Sequence, residues 1–472
     1  MTAPTSLTIV GAGPAGYPAA FLAADLGLSV TLVDSAAALG GTCLHRGCIP
    51  SKSLLHAARI LADAREAAAI GLDFAPPAIR LEKLRAWKES VTDRLAQGLA
   101  QLAKARGVRV VQARAAFASP TQLRLTAPDG SAAAHDFDAL LLATGSVPAR
   151  PAAFPADHPH LWDSTAALEL SEVPESLLVV GGGYIGLELG SVYAALGARV
   201  TVVEMTGGLL PGADRDLIVP LAKRLRGLFQ AIHLNTRVAG VADDPAGLRV
   251  VLENVQTGEK REEAFAKVLV SVGRRPWTDG LDLDKAGIAV TDRGFIAVDE
   301  TGRTANARVF AAGDVAGNPM LAHKATHEAR ALVARLAGRA AHALAPVPAV
   351  VFTDPEIAWV GLTETQAKEQ GLEIQVSKFP WAASGRALTL DRADGVTKIL
   401  ADPGTGQLLG VAIAGPGAGD LISEASLALA SGATAADLAR AIHPHPTLAE
   451  TLGEAAELHA GLCAHLYRPA KR

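Results

Sequence analysis

Two stretches of this chain, 170 residues apart, follow one plan. Leu7-Thr8-Ile9-Val10 runs into Gly11-Ala12-Gly13-Pro14-Ala15-Gly16, then a helical pattern to Gly27, then an apolar strand pattern ending in Asp34. Leu177-Leu178-Val179-Val180 runs into Gly181-Gly182-Gly183-Tyr184-Ile185-Gly186, a helical pattern to Gly197, and a strand pattern ending in Glu204. A lone GxGxxG is weak. Two copies, each between strand patterns and each with an acid at the end of the second strand, constrain the chain to two dinucleotide-binding folds. The glycines let the backbone approach a pyrophosphate, and the helix N-terminus offers it free N–H groups and partial positive charge. The terminal carboxylate accepts from ribose hydroxyls. At Glu204 it also repels a 2′-phosphate, and no Lys or Arg occurs from 205 to 214, so the second fold reads as a site for NAD rather than NADP.

At 472 residues the chain is too long for one core. Its net charge is −4 without a long basic run, which excludes nucleic acid and anionic membrane as expected partners. The first Lys or Arg is Arg46, and apolar runs such as 140–144 and 268–272 are far shorter than a membrane span. The expectation is a cytoplasmic protein. Leu140-Leu141-Leu142 runs into the turn Thr144-Gly145-Ser146, an element that 268–273 echoes, and Val309-Phe310-Ala311 leads to Gly313-Asp314. Beside two dinucleotide folds, Asp314 is a candidate for a ribityl hydroxyl, which points to a flavin in the first. From about residue 347 short strand and helix patterns continue without a glycine fingerprint. The expected fold class is α/β: two Rossmann-like dinucleotide-binding domains (1–147 and 148–276), a central segment (277–346) returning to the first, and a C-terminal α+β interface domain (347–472).

Two of the three cysteines, Cys43 and Cys48, stand close together in Gly40–Lys52; Cys463 reads as a small buried hydrophobe. Zinc needs four ligands, and Cys43, His45 and Cys48 supply three at poor spacing. His342 is single, and the pairs 158/160, 323/327 and 443/445 lack a cysteine, so no metal is expected. A disulfide between Cys43 and Cys48 cannot close within one helix, where five steps rise ~7.5 Å against a Cα limit near ~7 Å. The segment must bend. Gly47 permits this, and Pro50 reads as the first residue of a helix with Leu54, Ala58, Leu61 and Ala62 on one face. Cys48 then precedes a helix N-terminus, which favours its thiolate. So small a loop stabilises little, and its use is exchange: a redox pair. Near the C-terminus, Glu450 follows His443 and His445 where a helix begins, the arrangement of a base and its orienting acid.

With the segments Gly41-Thr42-Cys43 and Gly47-Cys48-Ile49-Pro50-Ser51-Lys52, GGGYIGLELG (181–190), GDVAGNPMLAHKA (313–325), DPEIAWVGLT (354–363), FPWAASGRA (379–387) and HPHPTLAE (443–450), the chain resembles, essentially end to end, the flavin-dependent pyridine nucleotide–disulfide oxidoreductases, and among them those acting on dihydrolipoamide. The resemblance implies FAD and NAD as cofactors. FAD would meet Gly11, Gly13, Gly16, Asp34, Gly41, Thr42, Lys52, Ala115, Thr144, Gly145, Ser146, Asp314, Met320, Leu321 and Ala322. NAD would use Gly181, Gly183, Tyr184, Ile185, Gly186, Glu204, Val238 and Gly273, with Tyr184 over the nicotinamide pocket. Lys52 would pair with Glu188 near the flavin, Cys43 would meet substrate, and Cys48 would face the flavin. The motif selects His445 over His443, with Glu450 behind it, and supplies it from the other subunit of a homodimer.

The implied reaction is oxidation of dihydrolipoamide. Its implied partner is the lipoyl-bearing acyltransferase of a pyruvate, 2-oxoglutarate or branched-chain dehydrogenase complex, or the lipoyl protein of glycine cleavage. With no lipoyl domain ahead of the first fold, lipoamide is expected to arrive on another protein. Some positions depart from the family pattern. His45-Arg46 replace an Asn and an apolar residue, predicting a lower thiolate pKa and a higher disulfide potential; Trp277 replaces an Asn, and Pro444 a small residue. Glutathione- and mercuric-reductase-like readings conflict with Glu204, since both prefer NADPH, and mercuric reductases carry a C-terminal cysteine pair. A flavin transhydrogenase would lack the redox cysteines. A non-catalytic binding subunit would have no reason to keep Cys43, Cys48, His445 and Glu450 together.

Overall fold

The computed structural model describes residues 5–155, 158–341 and 345–466. Both glycine motifs open βαβ units of the same construction. The first is β1 (Ser6–Val10), α1 (Gly16–Asp25) and β2 (Ser29–Asp34), paired in parallel from Ser6 opposite Ser29 to Val10 opposite Val33. Around it runs a five-stranded parallel sheet in the order Val309–Ala311, Ala139–Leu142, β1, β2, Arg109–Gln112. Its first strand comes from far along the chain and is apolar and buried on both faces, as parallel strands under helices are.

Past β2 the chain forms α2 (Gly41–Arg46) and α3 (Cys48–Glu66), with Gly47 between them. The helix therefore begins at Cys48, two residues earlier than Pro50 predicts. Pro50 still lies in its first turn, where a missing N–H costs nothing because that group has no helical partner. Leu54 and Ala58 are buried, and Leu61 packs against the same core.

The second unit is β3 (Ser176–Val180), α4 (Tyr184–Leu196) and β4 (Arg199–Val203), within a parallel sheet ordered Ala231–His233, β4, β3, Lys267–Val270, Leu161–Trp162. The repeat extends to single hydrogen bonds. Gly11 N–H reaches Val33 O at 2.8 Å as Gly181 N–H reaches Val203 O at 2.8 Å, and Ala143 N–H binds Val10 O as Ser271 N–H binds Val180 O, both at 2.8 Å.

The C-terminal region is built differently. Five antiparallel strands run in the order Ala349–Val351, Ile357–Gly361, Leu408–Ala414, Val396–Ala401, Gln375–Pro380, packed by α5 (Ala418–Ala430) and α6 (Glu450–Ala460). Trp381 is fully buried in its core and donates Nε1–H to Thr397 Oγ1 at 2.9 Å. Lys398, fully buried on one of these strands, ties the domain to the second fold through Asp214 (2.6 Å) and Asp216 (2.9 Å), and also binds Glu364 at 2.9 Å. Cys463 is half-buried rather than a plain core residue. It donates to Glu454 Oε2 at 2.9 Å, and burial with that carboxylate pushes its thiol up to about 11. Among the described residues no helix is long and apolar enough to cross a membrane.

Candidate active site

The turn at Gly47 folds α2 back on α3, so that Cys43 and Cys48 meet across it. A Cβ on Gly47 would press on Thr42 O at 3.0 Å, which is how closely the two helices approach. Both cysteines are thiols, and Cys43 hydrogen-bonds Cys48. That bond, opposed by burial and helped by the Lys52 ammonium, holds Cys48 down to about 7; the same bond and burial push Cys43 far up. Cys48 is therefore the member of the pair that ionises first, close to neutral pH. The principal cation lowering Cys48 is Lys52. The shift that the sequence led us to attribute to Arg46 comes first from the Cys43 hydrogen bond and then from Lys52, in α3.

Lys52 is itself positioned. Its Nζ donates to Glu188 Oε2 at 2.8 Å and lies 4.4 Å from the centroid of the Phe352 ring. Glu188 is only 3 % exposed, and its other oxygen accepts Phe352 N–H at 2.9 Å. One buried carboxylate on α4 thus joins the first fold, the second fold and the C-terminal domain behind the cysteines. A buried charge needs such partners to be tolerated.

The cysteines line a cavity of about 560 Å³. Asp34 lines it too, and its Oδ2 accepts Ala12 N–H at 2.6 Å and its Oδ1 accepts Ala36 N–H at 2.8 Å. The rest of the wall includes Gly11, Gly13, Gly41, Thr42, Lys52, Thr144, Gly145, Ser146, Asp314, Met320 and Ala322, with Tyr184, Ile185 and Glu188 from the second fold. Gly41 has φ +60°, and a Cβ there would stand 2.5 Å from Gly13 Cα. The two glycines meet with no room for a side chain, leaving a slot floored by backbone. Ser146 Oγ donates to Asp314 Oδ2 at 2.5 Å, and Arg274 donates to Ser146 Oγ at 2.7 Å and to Ser146 O at 2.6 Å. A carboxylate, a glycine cradle, polar side chains and the cysteine pair on the wall of one cavity fit a flavin dinucleotide.

Three residues assigned to the flavin by resemblance lie off this wall. Gly16 is buried beneath the turn, where a side chain would collide with Gly11 O; Ala115 is on a flanking antiparallel strand opposite Leu125; and Leu321 caps the helix Ala322–Leu336. Arg274 and Phe352 were not singled out in the sequence. The Gly273-Arg274-Arg275-Pro276 turn, which closes the echo of the Leu140 strand, was the only local signal for the first.

At the second turn, Gly181, Gly183 and Gly186 sit at the head of α4, and Glu204 accepts Gly182 N–H at 2.7 Å and Thr206 N–H at 2.8 Å. Arg215, the nearest cation beyond 205–214, caps the carbonyls of Leu209, Leu210 and Ala213 at 2.7–2.9 Å. Its guanidinium is committed to the backbone, which leaves the carboxylate to select the ribose and fits NAD. Gly273 has φ +123° with open space around it, while Val238 packs into the core opposite Leu252. Tyr184 is 40 % exposed at the wall shared by both folds, and burial raises its phenol.

His443 and His445 go to different places. His443 is largely buried, with Nε2 3.0 Å from Glu424 Oε1. His445 is 79 % exposed, with Nδ1 2.8 Å from Glu450 Oε1, and Glu450 Oε2 accepts Thr447 N–H at 2.7 Å. Burial would raise Glu450, but Thr447 and His445 hold it below the usual range, so it is ionised near neutral pH. An ionised carboxylate only accepts, which puts the proton on Nδ1 and leaves Nε2 free as a base. His445 does not border the cavity of its own chain's cysteines. His45 Nε2 is bound to Leu39 O at 2.8 Å rather than turned to the cysteines. Two groups of metal-capable side chains occur among the described residues: Asp214, Asp216 and Glu364, which surround Lys398 Nζ, and Glu454, Glu457 and Cys463. His342 lies outside the described residues.

A redox dithiol between two dinucleotide folds, with an antiparallel domain behind it, defines a class. The chain belongs to the pyridine nucleotide-disulphide oxidoreductases: the family model matches residues 5–329, and the model of the family's dimerisation domain matches 347–456. It is an NAD-dependent flavoprotein disulfide oxidoreductase, with FAD and NAD as cofactors. Among its relatives are the dihydrolipoyl dehydrogenases of Haemophilus influenzae (45 % identical over 97 % of this chain and 95 % of that one) and Thermus scotoductus (45 % identical, 96 % of each). Solved structures of the same shape include LpdA from Mycobacterium tuberculosis (TM-score 0.88, 28 % identical, 96 % of this chain and 99 % of that one) and the HOCl-induced flavoprotein disulfide reductase RclA from Escherichia coli as its Cu(II) complex (TM-score 0.85, 30 % identical, 96 % and 99 %).

Proposed function

We propose that this chain oxidises protein-bound dihydrolipoamide to lipoamide with NAD as final acceptor, working as a cytoplasmic homodimer. The observation that carries the reading is the asymmetric dithiol: Cys43 and Cys48 share a cavity wall with the first glycine turn and Asp34, Cys48 being lowered by its hydrogen bond to Cys43 and by Lys52, and Cys43 raised. The dihydrolipoyl dehydrogenases 45 % identical over nearly the whole length support the substrate. The lipoyl group would come on the acyltransferase of a 2-oxoacid dehydrogenase complex or on the lipoyl protein of glycine cleavage.

Catalysis starts with Cys43 and Cys48 joined as a disulfide. His445 of the partner subunit, its Nδ1–H held by Glu450, takes a proton on Nε2 from one substrate thiol. The thiolate attacks Cys43 Sγ. The Cys43–Cys48 bond breaks, and its electron pair leaves on Cys48, the sulfur whose anion Lys52 favours. His445 releases that first proton to solvent and takes the proton of the second substrate thiol, whose sulfur attacks the sulfur bonded to Cys43 and closes the lipoyl ring. Cys43 departs with that electron pair and receives a proton from His445. Substrate is oxidised by two electrons and the cysteine pair is reduced by two. Bound FAD supplies the outlet for those electrons and NAD their final acceptance as hydride. Gly13 and Gly41 would hold the flavin pyrophosphate, Asp34 the adenosine ribose, and Asp314 with Ser146 the ribityl chain.

The test is lipoamide-dependent oxidation of NADH by the purified holoenzyme, set against NADPH. The expected result is turnover with a clear preference for NADH, reduced roughly 10²- to 10⁴-fold in His445→Gln. Absence of lipoamide turnover, or NADPH used as well as NADH, would falsify the reading.

A further inference from the structure

The segment that carries His445 is anchored from inside the C-terminal domain. Trp381 and Thr397 are fully buried and Thr451 nearly so, and they come from separate elements: the turn after the strand Gln375–Pro380, the strand Val396–Ala401 and the first turn of α6. Their polar groups form one chain. Trp381 Nε1–H donates to Thr397 Oγ1 at 2.9 Å, the Thr397 hydroxyl to Thr451 Oγ1 at 2.8 Å, and the Thr451 hydroxyl to Leu448 O at 2.7 Å. An indole only donates and a carbonyl only accepts, so the two ends fix the direction of every bond between them.

The indole that starts the chain is held in place. Trp381 N–H donates to Gly395 O at 2.9 Å, and the ring lies against two glycines: a Cβ at Gly395 would stand 2.5 Å from its Cδ2, and one at Gly415 would overlap its Cζ3. The chain ends two residues before Glu450. Ala449 caps α6 without a side-chain bond, and Leu448 O accepts the Thr451 N–H at 3.1 Å as well as the hydroxyl, so Leu448 and Thr451 set how the helix begins. Within 444–451 the other side-chain bonds are internal: Thr447 Oγ1 to Pro444 O at 2.7 Å, and the two Glu450 bonds to Thr447 and His445. Among the described residues, the bond from Thr397 to Thr451 is the one side-chain hydrogen bond that ties this segment to another element. Apolar groups of the same shape would fill both threonine sites, so what the hydroxyls add is direction.

We propose that Trp381, Thr397 and Thr451 are positioning residues for the reaction: their chain fixes the turn 447–451, and through it the Glu450 carboxylate that presents His445 as a base. The proposal rests on the dithiol-oxidising reading of the site. It adds no step, since the proton still passes from the substrate thiol to His445 Nε2.

The experiment measures two rates on the same holoenzyme preparation of each variant: kcat/KM for dihydrolipoamide, and reduction of the bound flavin by NADH in stopped flow. Only the first calls on His445. Thr451→Val keeps the shape and removes the hydroxyl; it should lower the first rate roughly tenfold and leave the second within about twofold of wild type. Thr451→Ser, which keeps the hydroxyl, should recover most of the loss. On a Glu450→Ala background, Thr451→Val should cost less than about twofold further, because the group it acts through is already gone. Thr397→Val should show the same selective loss, and it carries the test should Thr451→Val fail to fold. An equal fall in both rates, an unchanged dihydrolipoamide rate, or the same loss repeated on Glu450→Ala would overturn the proposal and leave the function standing. A wild type whose flavin NADH reduces but which oxidises no dihydrolipoamide would overturn both.

Discussion

Asp34 and Glu204 end equivalent strands and hold equivalent amides. Each takes one N–H from its own glycine turn, at 2.6 and 2.7 Å, and one from the residue two places further on, both at 2.8 Å. What surrounds the two turns differs. The first is walled in by remote segments: Gly41 closes on Gly13, and Gly145, Asp314 and Ala322 complete the enclosure. At the second, no segment closes on Gly183, which faces open space, while Leu209 and Glu204 crowd Gly182. One ancestral plan has become a closed pocket and an open shelf. A closed pocket suits a cofactor that stays through many turnovers, and an open shelf suits one that must arrive and leave at each.

The largest expected effect lies at the mouth of the closed half. Cys48→Ser removes the leaving thiolate while preserving shape, and should lower lipoamide-dependent NADH turnover by at least about 10³-fold. A variant retaining a tenth of wild-type activity would mean that Cys48 is not the sulfur that carries the charge. Next is the open half. Glu204→Arg should swing the NADH-to-NADPH preference by roughly 10²-fold with flavin content unchanged, whereas Asp34→Arg should yield protein depleted of flavin. Flavin loss in Glu204→Arg would break the distinction between shelf and pocket.

The repeat was legible because its signals are local. A glycine that must admit a phosphate, and an acid at a strand end, need no knowledge of the rest of the fold. Gly47 as the bend was legible for the same reason, although the helix starts at Cys48 because a proline is as acceptable in its third position as in its first. What sequence could not supply came from segments meeting across the chain. The Phe352 N–H that holds Glu188 lies 164 residues from it, and no pattern near Phe352 announces that bond. Arg274 reaches Ser146 across 128 residues. Lys398 reads as an ordinary strand lysine and is in fact the fully buried centre of an acidic triad. Arg46 misled in the opposite direction. Sequence proximity suggested that it tunes the cysteines, but Cys48 is lowered first by its hydrogen bond to Cys43 and then by Lys52.

Lys52 gives the next test, on the closed half. In Lys52→Met, Cys48 loses a cation that favours its anion, so its pKa should rise from about 7 toward the ordinary thiol value of 9.0. The thiolate would then form at higher pH, and alkylation of the reduced enzyme by iodoacetamide at pH 7 should slow roughly fivefold, recovering as pH is raised. Lys52→Arg, which keeps the charge, should stay close to wild type. An alkylation profile unmoved in Lys52→Met would assign the low pKa to the Cys43 hydrogen bond alone.

The smallest expected effect bears most directly on the contrast between the two turns. Gly41→Ala places a methyl group 2.5 Å from Gly13 Cα at φ +60°, so the backbone of the pocket must move, and flavin should be lost on dialysis. Gly183→Ala meets nothing within 4 Å and has φ −79°, which any residue adopts. Its cost to stability is a few tenths of a kcal/mol at a helix cap, about 0.5 kcal/mol. Its methyl group would nevertheless stand where a pyrophosphate must approach α4, and the KM for NADH should rise about threefold with kcat little changed, since the interaction lost is one made equally in ground and transition states. If Gly183→Ala instead released flavin, the second turn would be part of the closed pocket. If its KM were unchanged, the pyrophosphate would not lie over that glycine, and the shelf would have to be drawn elsewhere along α4.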